Sequence, residues 1–254
     1  MNTKHDYIAV FDSGVGGLSV LRHLRRVMPG ERYLYFGDSA NAPSGTKTKE
    51  DVKKLTFDAA QRLISRGIKA LVVACNTATS AAIHDLRIAY PDLVVIGIEP
   101  ALKLAAERFP GGTLCVMATP MTLREEKFAA LMRRYEEVCH VQKLPAPGLV
   151  ELVEGGKADS PETDSLLKTL FATLESTPDA VVLGCTHYPF AAGTISRLLG
   201  ADTVLLDGGS GTARETKRRL EMADLLHHGP GQIIMENSAN NAEITALCRA
   251  LLEE

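Results

Sequence analysis

The chain has 254 residues, 45% hydrophobic and 23% charged, and 28 Lys+Arg against 31 Asp+Glu give a formal charge of -3 at pH 7. This composition excludes a disordered, highly charged chain and a strongly basic nucleic-acid binder. With no apolar run near the roughly 18 residues a bilayer span needs, it also excludes a helical membrane protein.

The polar start Met1–Tyr7 runs straight into a strand pattern rather than a leader's apolar segment, so a cytoplasmic protein is expected. Continuous Val-, Ile- and Leu-rich runs at Tyr7–Phe11, Tyr33–Phe36, Ala70–Ala74, Val94–Ile98, Thr113–Ala118, Ala180–Gly184 and Thr203–Leu206 predict strands buried on both faces. Helical patterns separate them. Leu18, Leu21 and Leu24 share a face after the glycine-rich start, and Val52, Leu55, Ala59 and Leu63 do so after Thr48. Strand–helix alternation of this kind predicts an α/β fold with mainly parallel sheets. Pro145, Pro147 and Gly148 mark a loop, as do Asp207–Gly211 and His227–Gly231.

A weak duplication runs through the chain. Ile8–Ser13 resembles Leu114–Thr119, and Ala70–Thr77 resembles Ala180–His187. Two similar, pseudo-twofold-related α/β domains are therefore expected, residues 1–98 and 99–207, with 208–254 returning to the first. Ligands of open α/β sheets bind outside the carboxyl ends of the strands. Asp12-Ser13, Cys75-Asn76-Thr77, Thr119 and Cys185-Thr186-His187 all fall there, so an active site is expected in the cleft between the domains, with Cys75 and Cys185 approaching from opposite sides.

Five cysteines, an odd number with no Cys-x-x-Cys pair, argue against a disulfide framework or structural zinc. Cys115, Cys139 and Cys248 read as small buried hydrophobes. Cys75 alone reads the same way, although a following helix N-terminus would favour its thiolate. Its recurrence as Cys185, with His187 two residues on as a proton partner, tips the reading toward function. Two such thiols could form a redox pair, bind metal, act as nucleophile and helper, or serve as two bases. A redox pair must close to about 2.05 Å, which nothing in the local spacing suggests. A metal would want more ligands than His187 and Asp12 supply. Two bases on opposite faces of a stereocentre fit the quasi-symmetry best, each thiol needing only modest stabilisation from a pKa near about 8.5. That chemistry needs no cofactor, and neither a cofactor nor a metal is expected. Asp12–Leu18 lacks the P-loop lysine and the Gly-x-Gly-x-x-Gly spacing. It reads instead as backbone that admits a small anion while Asp12 and Ser13 point into the cleft. Ser13, Asn76, Thr77 and Thr186 would add neutral hydrogen bonds, or cap helices.

At these residues the sequence resembles the glutamate racemases of the aspartate/glutamate racemase superfamily. The matching blocks are Phe11–Leu18, Gly37-Asp38, Pro43 with Gly45, Ala74–Thr77, Leu152–Glu154 and Leu183–Pro189, in family order. The resemblance implies cofactor-independent interconversion of L- and D-glutamate, supplying peptidoglycan synthesis. It implies Cys75 as the base toward the D-enantiomer and Cys185 toward the L-enantiomer, with Asp12 and His187 assisting and Glu154 a further acidic group. Substrate contacts would fall on Asp12, Ser13, Ser44, Gly45, Asn76, Thr77, Thr186 and His187. It also implies a homodimer acting on a small molecule, without nucleic acid or membrane. Ser44 replaces the family's usual Tyr, Asn41 stands where a basic residue is common, and Glu151 where Pro is common, which bears on substrate fit and regulation rather than on the thiols. The rival readings are a racemase of another small acidic or acyl substrate, a non-catalytic binding or regulatory protein, and a thiol redox protein.

Overall fold

The computed structural model describes residues 3–253. In chain order, Tyr7–Asp12 (β1), Leu18–Val27 (α1), Arg32–Gly37 (β2), Lys49–Ile64 (α2), Ile68–Val73 (β3), Asn76–Ala89 (α3) and Val94–Gly97 (β4) come first. Leu102–Arg108 (α4), Thr113–Ala118 (β5), Pro120–Arg124 (α5), Glu126–Glu136 (α6), His140–Pro145 (β6), Leu149–Glu154 (α7), Pro161–Phe171 (α8), Ala180–Leu183 (β7), Ala192–Leu199 (α9) and Val204–Asp207 (β8) follow. Gly209–Met222 (α10), Gln232–Asn237 (β9) and Ala242–Glu253 (α11) end the chain. Packing divides it into one unit of Met1–Glu99 with Gly209–Glu254 and a second of Pro100–Gly208.

The first unit is built on a five-stranded sheet of order β4-β3-β1-β2-β9, the second on a four-stranded sheet of order β6-β5-β7-β8. All pairings are parallel. The four strands β1–β4 and the four strands β5–β8 therefore run in the same spatial order, so the duplication seen in the sequence is one of topology. Registers agree as well. Phe11 pairs Val73 in one sheet and Met117 pairs Leu183 in the other. Beyond them the Ala74 N–H donates to Phe11 O, and the Gly184 N–H to Met117 O, both at 2.8 Å.

The central strands are mostly apolar because helices cover both faces, Lys69 in β3 and Asp12 at the end of β1 being charged exceptions; every residue of β3 and β7 is buried. The edge strands β6 and β9 differ. They mix polar with apolar side chains, His140-Val-Gln-Lys-Leu-Pro and Gln232-Ile-Ile-Met-Glu-Asn, most of them exposed or half-exposed apart from buried Gln142 and Leu144, and the apolar-run reading passed over both. The expected loop Asp207–Gly211 is corrected: only Gly208 separates β8 from α10, which starts at Gly209. Its Gly-Ser-Gly opening reads as a turn, yet the helix is held by buried Thr212, Ala213, Thr216 and Leu220. Likewise Pro145, expected in a loop, ends β6 at a sheet edge, where a proline is tolerated. α2 starts where Thr48 caps it, its side chain accepting from the Asp51 N–H at 3.2 Å.

One charged pair lies inside the first unit. Lys69 and Glu31 are fully buried and joined at 2.7 Å. Lys69 Nζ also donates to Lys4 O at 2.8 Å and Leu225 O at 2.9 Å, while Glu31 Oε1 accepts from the His227 N–H at 2.8 Å. The pair thus ties the returning chain at Leu225 and His227 to the amino end of the first sheet, opposite the strand ends that carry Asp12 and Cys75.

Candidate active site

In the first unit, β1 ends at Asp12 and β3 is followed by Ala74 and Cys75. Ser13 and Cys75 each lie two residues beyond the register pair Phe11–Val73, which makes them neighbours. Ser13 Oγ and Cys75 Sγ are 3.3 Å apart, in hydrogen-bonding distance. Cys75 occupies the N-cap of α3, and its sulfur accepts from the Ala78 N–H at 3.4 Å. A thiolate here faces the positive end of a fourteen-residue helix and a hydroxyl. Asp12 is fully buried, and its Oδ1 accepts from the Gly14 N–H at 2.9 Å. The glycine-rich turn closes over this carboxylate: a Cβ on Gly17 would come within 2.6 Å of the Asp12 Cβ.

Asn76 and Thr77 open α3 and are buried. Asn76 Oδ1 has no hydrogen-bond partner, an orphaned acceptor of the kind that an incoming donor satisfies. Ser44 and Gly45 are buried in the short 3-10 turn Ser44–Thr46, which packs against α3.

In the second unit Cys185 follows β7 at the matching point, and Thr119 occupies the position of Ser13. The Thr119 hydroxyl is used differently: it caps α5, accepting from the Thr122 N–H at 3.2 Å and donating to Thr122 Oγ1 at 2.9 Å. The group against Cys185 is His187, with Nδ1 3.7 Å from Sγ, and His187 Nε2 lies 2.6 Å from Glu154 Oε1. Cys185, Thr186 and His187 are all buried. α7, which ends at Glu154, packs on the 3-10 turn Tyr188–Ala191 that follows His187. A carboxylate on one ring nitrogen fixes the tautomer and leaves the other facing the sulfur, so Cys185, His187 and Glu154 form one hydrogen-bonded chain. Below it Tyr188 is fully buried, and its hydroxyl donates to Ala146 O at 3.2 Å. Burial, reinforced by the nearby Cys185 and Glu151, holds its phenol well above the ordinary range.

The structure thus groups Ser13 with Cys75, and Glu154 with His187 and Cys185. The pairing of Ser13 with a thiol was missed, although the strand register implies it. No spacing signal points from Glu154 to His187, which lies on a separate element 33 residues on. Among the described residues, no three His, Cys, Asp or Glu side chains cluster in a way that could hold a metal ion, and no helix is long and apolar enough to cross a membrane.

Residues 16–216 match the Asp/Glu/Hydantoin racemase family. Over 249 residues the chain is 49% identical to a glutamate racemase of Clostridium novyi, covering 96% of each chain. Its fold is similar to the crystal structure of glutamate racemase from Thermus thermophilus in complex with beta-chloro-D-alanine, with a TM-score of 0.84, 36% identity and coverage of 100% of this chain and 95% of that one. It is also similar to glutamate racemase from Francisella tularensis in complex with D-glutamate, with a TM-score of 0.86, 25% identity and coverage of 99% and 95%.

Proposed function

The chain belongs to the Asp/Glu/Hydantoin racemase family, and we propose that it is a glutamate racemase working by two cysteine bases. The observation that carries the reading is the pair of cysteines at matching strand ends, each beside a group that handles its proton: Ser13 and the α3 N-terminus for Cys75, His187 with Glu154 for Cys185. The similarity to a protein solved with D-glutamate supports the choice of substrate.

In the D-to-L direction the Cys75 thiolate takes the α-proton, becoming a thiol and leaving its electron pair on the α-carbon. The Cys185 thiol then delivers its proton to the opposite face, giving L-glutamate and a Cys185 thiolate; the reverse direction exchanges the roles. His187, braced by Glu154, stabilises and reprotonates Cys185, and Asp12 serves on the other side. The orphaned Asn76 Oδ1 is suited to accept from the α-ammonium group. Asp12, Ser13, Ser44, Gly45, Thr77, Thr186 and His187 complete the substrate contacts. Both proton transfers are made by side chains, so the reaction calls for no cofactor. The protein acts as a cytoplasmic homodimer, and its product supplies peptidoglycan.

The test is L-glutamate in deuterated buffer with reduced protein. Deuterium entering at the α-carbon together with loss of optical activity is expected, and loss of both in Cys75→Ala and in Cys185→Ala. Neither signal from the folded parent protein would overturn the substrate assignment. Full racemisation by either variant would overturn the two-base mechanism.

A further inference from the structure

The strand that returns to the first sheet ends beside the segment carrying Ser44 and Gly45. β9 pairs with β2 through Gly37–Asn237. Beyond that pair the Ser238 N–H donates to Gly37 O at 2.9 Å, and Ser238 Oγ accepts from the Ala40 N–H at 3.0 Å. Asn237 Nδ2 donates to Ser39 Oγ at 2.9 Å, while its Oδ1 accepts from the Ala239 N–H at 2.9 Å, which fixes the amide. Asn41 Nδ2 in turn holds both Asp38 oxygens at 3.0 Å. There is no slack at the root of the segment: a Cβ on Gly37 would meet Gly14 O at 2.3 Å and Asn237 Nδ2 at 2.9 Å. Main chain and side chain of two successive residues therefore clamp residues 37–40, from which the chain runs directly into Ser44–Thr46.

We propose that Asn237 and Ser238 are positioning residues, which hold the Asp38–Gly45 segment and thereby set how Ser44 and Gly45 meet the substrate. The part concerning substrate rests on the glutamate racemase reading above. Neither residue touches the cysteines, so their removal acts on fit rather than on proton transfer.

Two readouts separate the clamp from the enzymatic reading. Hydrogen exchange of the 38–46 amides needs no turnover, and it should quicken in Ser238→Ala and Asn237→Ala while the amides of β1 and β3 keep their protection. With glutamate, Ser238→Ala should raise KM about fivefold, as the loss of one hydrogen bond implies, Asn237→Ala, which loses two, at least as much, and both should leave kcat within about twofold. Ser238→Thr, which keeps the hydroxyl, should restore both. Unchanged exchange at residues 38–46 would overturn the clamp. Faster exchange across the whole chain with a lowered melting temperature would also overturn it, by showing only general loosening. Local loosening with unchanged KM would overturn its role in substrate fit. A parent protein inert on glutamate would defeat the racemase reading while the exchange result still decided the clamp.

Discussion

Removing the amine of Lys69 tests whether the buried pair at the base of the first sheet holds the returning chain in place. Lys69→Met keeps the length and apolar stem of the side chain but deletes three donated bonds, to Glu31, Lys4 O and Leu225 O. The Glu31 carboxylate then keeps the His227 N–H at 2.8 Å and a longer contact to the Arg32 N–H at 3.3 Å, with no counter-charge. An uncompensated buried charge of this kind costs about 3–5 kcal/mol. At a urea m-value of about 2–3 kcal/mol/M, the midpoint followed by far-ultraviolet circular dichroism should fall by about 1–2 M. Adding Glu31→Leu removes the stranded charge. The double variant should therefore be more stable than Lys69→Met alone, with a coupling of about 1–3 kcal/mol in the double-mutant cycle. Its remaining deficit comes from the unbonded carbonyls and N–H groups. A loss below about 1 kcal/mol in Lys69→Met, or no recovery in the double variant, would refute the idea that the pair is a dry, mutually dependent clamp.

Three further outcomes are expected. Glu154→Gln leaves His187 a hydrogen-bond partner but no charge, so racemisation should fall roughly 10²-fold in kcat with little change in melting temperature; activity assays beside a thermal melt check this. Gly17→Ala places a methyl 2.6 Å from the Asp12 Cβ, so the turn must move off the carboxylate; both racemisation and stability should drop, whereas Gly211→Ala, with open space at its Cβ, should be silent. Burial pushes the Cys115 thiol up to about 12, so mass spectrometry after alkylation of the native protein at pH 8 should find Cys115 unmodified. The unfolded thiol loses its proton near about pH 8.5 and the folded one only much higher, so this contribution is fully present below that pH and is lost as pH rises through the interval.

What the sequence disclosed and what it hid divide along the continuity of apolar runs. β1, β3, β5 and β7 lie inside their sheets and announce themselves as unbroken apolar runs, which also located Cys75 and Cys185 just beyond them. β6 and β9 are edges that mix side chains such as Lys143 and Glu236 with their apolar residues, so no unbroken apolar run marks them, whereas the other two edges, β4 and β8, keep such runs and were read. The burial of Lys69 has no sequence signal: only the arrival of Glu31 and Leu225 from distant parts of the chain makes it tolerable. The hydrogen-bonded chain at Cys185 was half legible. His187 is local to the cysteine, but its tie to Glu154 depends on how α7 packs, which no periodicity encodes. Ser13 against Cys75 was legible in principle, because parallel register alone brings the two together.

The two cysteines sit at corresponding strand ends in unlike surroundings, a hydroxyl and a helix terminus for one, an imidazole–carboxylate couple for the other. Mirror-image substrates have equal free energies and share one transition state, so kcat/KM must be the same from either hand, however differently the thiols are tuned. The lopsidedness can surface only as a matched exchange, with the enantiomer that binds more tightly turning over more slowly by the same factor. Such a protein would run in both directions with equal efficiency at low substrate and with unequal speed at saturation, and downstream consumption alone would decide the net flow.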